Sequence, residues 1–112
     1  MNDTATKKTG RSSNTRLVEL MKEYVGRLNA INERAEQILS SVKESKLLKQ
    51  QYSMLERHYR YLTSPVEELV RHVSQLIEHG TVDDVTRLEL RLRLADLEHA
   101  LFATQRLLVA GR

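Results

Sequence analysis

The chain has 112 residues, of which 40% are hydrophobic, 29% charged and 4% aromatic, with one Pro, four Gly and neither Cys nor Trp. This composition allows one domain with a limited core and excludes disulfides, thiolate nucleophiles and Cys-ligated zinc. No apolar run approaches the roughly 20 residues that cross a bilayer, and no apolar leader opens the chain, so the expectation is a soluble, cytoplasmic protein without a membrane span.

The formal charge of +3 is not spread evenly. Residues 1–16 carry Lys7, Lys8, Arg11 and Arg16 against Asp3 alone, and the remainder is neutral in sum. With Ser, Thr, Asn and Lys and little to bury, this tail cannot offset the entropy of ordering, and it is expected to be disordered. A solubilising end is the plainer reading; a contact with an acidic partner, anionic lipid or phosphate backbone is the functional one.

From residue 17 the pattern changes. Leu17, Met21, Tyr24, Leu28, Ile31, Ala35, Ile38 and Val42 follow one another in alternating steps of four and three. Such an unbroken heptad stripe, flanked by Glu, Lys, Arg, Asn and Gln, marks a helix packed along one narrow face. The register slips at Ser45 and resumes at Leu48, Tyr52, Leu55, Tyr59 and Leu62. A continuous helix over residues 17–62, beginning near residue 14 and about 70 Å long, accommodates the slip as a local overwinding; a break near residue 45 is the alternative.

Pro65 disfavours helical backbone at Ser64, so the long helix is expected to end there. Ser64, Pro65 and Glu67 form a capping-box pattern that opens a second helix with Val66, Leu69, Val70, Val73, Leu76 and Ile77 on one face. Gly80 is placed to turn left-handed after it, and Thr81 with Asp84 to cap a third helix over about residues 82–109. Residues 64–110 thus read as an αα-hairpin packing on the long helix. Within it, RLELRLRL alternates as a strand would, but its Leu, Arg and Glu are helix formers, and helix is the better assignment. The last helix then carries two apolar stripes: Leu90, Leu94, Leu97, Leu101 and Leu108 on one side, and Val85, Leu88, Leu92, Ala95 and Phe102 on the other. Two stripes require two neighbours, from the same chain or another subunit.

Catalytic and nucleotide-binding signatures are lacking: there is no Gly-rich phosphate loop, no HExxH and no GxSxG. An enzyme is not expected, nor a cofactor. Glu68, His72 and His79 share one side of a helix as metal ligands would, but they want a fourth ligand, and solvated surface histidines are the better reading. Arg57, Arg60 and Tyr61 form a small basic and aromatic patch of the kind that binds single strands, although Glu residues interleave with the bases throughout, and nucleic acid is not the favoured partner.

AEQIL at residues 35–39, the run of Leu48, Leu55, Tyr59, Tyr61 and Leu62, and His79, Asp84 and the RLELRLRLADLEHAL block resemble the N-terminal coiled coil and first helical hairpin of vesicle-tethering subunits, of the conserved oligomeric Golgi and exocyst type. That resemblance implies a non-enzymatic subunit whose coiled coil joins sister subunits. The short helix, Gly turn and Leu-Glu-rich helix are also similar to the small helical co-chaperones of type III secretion needles. No functional residue is carried over from either.

The expectation is therefore an all-α protein, a long coiled-coil helix followed by an αα-hairpin, acting as a non-enzymatic assembly subunit through helix contacts. Leu17, Met21, Tyr24, Leu28, Ile31, Ala35, Ile38 and Val42 are assigned as the intermolecular surface, with Leu88, Leu92 and Phe102 as a secondary contact. Leu28→Asp with Ile31→Asp is expected to abolish association and leave the hairpin helical. The partner is a protein helix, of the same chain or another, and orientation and oligomer number stay open. The alternatives are a secretion-component chaperone and an anionic-surface or nucleic-acid binder using the tail.

Overall fold

A computed structural model describes the backbone of residues 2–41 and 46–110, with side chains from residue 14 onward. Three helices account for it, α1 (Asn2–Leu39), α2 (Lys46–His79) and α3 (Asp84–Ala110), with no strand among the described residues. RLELRLRL lies inside α3.

α1 begins at Asn2, so helical backbone extends through the segment expected to be disordered. No Pro interrupts it, and extending an existing helix fixes one residue for each hydrogen bond added, which is far less costly than starting one. α1 ends at Leu39, where Ser40 donates its amide to Glu36 O at 2.9 Å and its hydroxyl to the same oxygen at 2.7 Å. The chain therefore breaks shortly before residue 45, in line with the alternative reading, and residues 17–62 are not one helix.

The expected boundary at Ser64 and Pro65 is absent: α2 runs straight through both. Pro65 has no N–H for the carbonyl of Tyr61 and costs a helix interior about 3 kcal/mol. Apolar residues step by four and three across it without a fault, at Tyr52, Leu55, Tyr59, Leu62, Val66, Leu69 and Val73, and the last four are buried. Covering such side chains stabilises by about 1.5–3 kcal/mol each, which outweighs one missing hydrogen bond. The Ser64 cap and the hairpin boundary at residue 64 are corrected accordingly.

At the turn between α2 and α3, no glycine has positive φ, so Gly80 is not the left-handed residue expected. Its amide donates to Leu76 O at 2.9 Å, and a Cβ there would collide with the carbonyl and side chain of Leu76. Glycine is required for room. The cap of α3 is Asp83, whose Oδ1 accepts from the Thr86 amide at 3.0 Å, in place of Thr81. Arg87 reaches back, with Nη2 3.3 Å from Gly80 O and 3.4 Å from Val82 O, and ties the turn to α3.

All three helices pack on one another, most extensively α1 on α3, in a body of 59 × 31 × 19 Å. Tyr52 and Tyr59 of α2 donate their hydroxyls to Leu108 O and Leu101 O of α3, respectively. The later donor meets the earlier acceptor, so these helices are antiparallel. Arg34 of α1 donates to Gln51 of α2 at 2.9 Å. Met21, Leu28, Val66, Val73, Leu90 and Leu97 are the largest completely enclosed apolar side chains. Among them lies Thr104, which donates its hydroxyl to Ala100 O at 2.8 Å and has Leu28 O of α1 3.2 Å away as a second acceptor. A buried hydroxyl with partners on both helices is satisfied.

Candidate interaction surface

The stripe of α1 assigned to another chain finds its partner within the molecule. Met21, Leu28, Ile31, Ala35 and Ile38 are buried, and Leu17 and Tyr24 pack against the core at partial burial. Val42 lies outside the described residues. Val18 is buried as well, with Leu20 and Val25 packed beside it. These residues widen the stripe into a face broad enough to meet two helices, and the steps 18, 21, 25 and 28 are the signal for it.

α3 carries the opposite arrangement. Its inner side, formed by Leu90, Leu94, Leu97, Leu101 and Leu108, is buried as its apolar pattern requires. Its outer side is uncovered: Val85, Leu88, Leu92, Phe102 and Val109 are 54–77% exposed. With Ala95, His99 and Arg106, also exposed, they occupy positions 85, 88, 92, 95, 99, 102, 106 and 109, steps of three and four without a gap. Val109 prolongs the stripe beyond what the sequence suggested, because Arg106 interrupts the apolar pattern before it.

Along its edges the stripe is charged, with Asp84 and Glu89 near the α3 N-terminus and Arg91, Asp96 and Glu98 further on. α2 also exposes Leu47, Met54 and Tyr61, at intervals of seven. An open groove of about 610 Å³ separates the two helices, lined by Tyr59, Val70, Arg71, Glu98 and Phe102 among others. Burial first, and the charge of Glu67 second, push the Tyr59 phenol above its usual value. It stays a neutral donor to Leu101 O at 3.2 Å, a cross-link between helices.

Elsewhere the candidates stay apart. Glu68, His72 and His79 are exposed, and no group of three or more His, Asp or Glu side chains converges among the described residues. His79 lies 3.7 Å from Glu78, both solvated. Arg57, Arg60 and Tyr61 are exposed on α2. The side chains of the basic tail before residue 14 fall outside the described set. No helix among the described residues is long and apolar enough to cross a membrane. Of the nine large hydrophobic residues exposed among the described residues, five stand on the outer side of α3, a patch of the kind that marks interaction sites. Comparison with protein-family models, curated proteins and solved structures finds no match to the chain.

Proposed function

We propose that this chain is a non-enzymatic assembly subunit that binds a helix of a partner through the outer stripe of α3. One observation carries the reading: five large apolar residues, Val85, Leu88, Leu92, Phe102 and Val109, stand exposed along 25 residues of a helix whose inner side is already covered, all in one register of three- and four-residue steps whose other positions hold Ala95, His99 and Arg106. A heptad stripe fits an amphipathic helix, because knobs at this spacing enter holes on a facing helix of the same period. The resemblance of residues 35–102 to vesicle-tethering subunits supports the same class of role, a small component of a multisubunit complex.

Co-purification with the full chain as bait tests it. Each covered Leu or Phe contributes about 1.5 kcal/mol or more, so Leu92→Glu with Phe102→Glu should weaken association at least about a hundredfold while the helical circular dichroism is unchanged. Partners retained equally by wild type and double variant would refute the reading.

A further inference from the structure

We propose that the helix covering the outer stripe is α3 of a second copy of this chain, lying antiparallel. This rests on the assembly reading above and supplies its partner.

The two residues that spoil the stripe as an apolar surface argue for it. His99 and Arg106 stand in line with Leu92 and Phe102, both exposed, and neither forms an ion pair among the described residues. Asp84, Glu89 and Asp96 along the edges are likewise unpaired there. An antiparallel partner centred between Ala95 and His99 places Val85 opposite Val109, Leu88 opposite Arg106, Leu92 opposite Phe102 and Ala95 opposite His99. By two-fold symmetry each pairing occurs twice. The Arg106 side chain, lying across Leu88 of the second copy, then has Asp84 and Glu89 of that copy within reach of its guanidinium. The imidazole of His99 lies over the small Ala95, next to Asp96. Both interruptions thus meet carboxylates, and the apolar residues meet one another.

Asp96 and Glu98 also approach their own counterparts across the axis, where an imidazole N–H of His99 can donate to Asp96. A parallel pair is worse matched. It would stack Arg106 on Arg106 and His99 on His99, and would set Asp84 beside Glu89 of the other copy, leaving only Arg91 with Asp96 as an attraction. Like charges directly opposed disfavour an arrangement, so the charge pattern selects the antiparallel one.

Light scattering of the purified full chain against concentration, with two charge variants, tests both orientation and partner. Arg106→Glu opposes Glu with Glu89, and Glu89→Arg opposes Arg with Arg106, so each variant alone should dimerise at least roughly tenfold more weakly than wild type. Mixed in equal amounts they should form a heterodimer tighter than either variant forms with itself, since the contacts between positions 106 and 89 are then Glu with Arg and only the contact with Asp84 stays unfavourable. Circular dichroism confirms that both variants stay helical. A mixture no tighter than its components overturns the antiparallel register. A wild type that is monomeric at millimolar concentration, but still loses captured proteins on Leu92→Glu with Phe102→Glu, overturns the second copy and leaves the assembly reading standing. A dimer indifferent to Leu92→Glu overturns the second copy on this stripe, and the assembly reading falls as well if the captured proteins are indifferent to Leu92→Glu with Phe102→Glu.

Discussion

Both sides of α3 carry large apolar residues in a three- and four-residue register, and they have opposite fates. Leu97 is completely enclosed and Leu92, five residues earlier, is mostly exposed, yet each is a Leu in a three- and four-step stripe with charged neighbours. Residue type and periodicity identify a surface that needs covering. Which surface α1 and α2 cover is decided by the helices' number and lengths: three helices of 38, 34 and 27 residues bury one side of each. The side left over on α3 still carries five large apolar residues and has no partner among the described residues.

The contrast is broken most forcefully from within. Leu97→Ala should lower the unfolding free energy by about 2–5 kcal/mol, through lost burial and a residual cavity, whereas Leu92→Ala should change that of the monomer by no more than about 0.5 kcal/mol. Urea denaturation at low protein concentration compares them, and equal losses would mean the two sides are not distinct. By the same logic, the paired Leu28→Asp and Ile31→Asp substitutions, first expected to spare the hairpin, should unfold the whole bundle, because both residues are buried against it.

A smaller effect sharpens the comparison on α2, where the inner residues Leu62 and Val66 flank Pro65 and exposed Tyr61. If inner packing holds the helix together against its proline, Pro65→Ala should restore an amide to the Tyr61 carbonyl and stabilise by about 2 kcal/mol, seen as a raised thermal midpoint. A fall in the midpoint would mean the proline ring itself packs favourably.

The smallest effect concerns the cap that fixes where α3 starts. Hydrogen bonding from Thr86, from its hydroxyl first and its amide second, holds the Asp83 carboxyl below the usual carboxylate range. The folded value being the lower one, the stabilisation is present above the unfolded value of 3.8 and is lost as pH falls through the folded value. Asn caps without titrating, so wild type should lose slightly more stability than Asp83→Asn between about pH 5 and about pH 2. Parallel losses in the two proteins would show that the cap contributes nothing.

Legibility in the sequence divides along the same line. Helical identity is clear even through RLELRLRL, and both stripes of α3 stand out in the residue spacing. The stripe of α1 is equally clear, but periodicity reports that a face is covered and is silent on whose helices cover it, and here they are α3 and α2 of the same chain. The Ser64 boundary rests on a local rule about proline. The longer pattern from Tyr52 to Val73 contradicts that rule and prevails, since several buried side chains outweigh one hydrogen bond. Thr81 and Asp83 are both competent caps, and only the actual start of α3 selects between them. The exposed Leu47, Met54 and Tyr61 recur once per heptad, too sparsely to stand out from the buried residues of α2.

The outer stripe also winds. Its residues recur every 3.5 positions on a helix that turns once in 3.6, so the stripe drifts by about 20° per heptad and rotates by about 70° between Val85 and Val109. A flat surface or a straight rod laid against α3 would touch it at one end and miss it at the other. Only a body able to bend with a left-handed pitch tracks the stripe along its whole length, so the handedness of the residue spacing alone discriminates among the surfaces that could dock there.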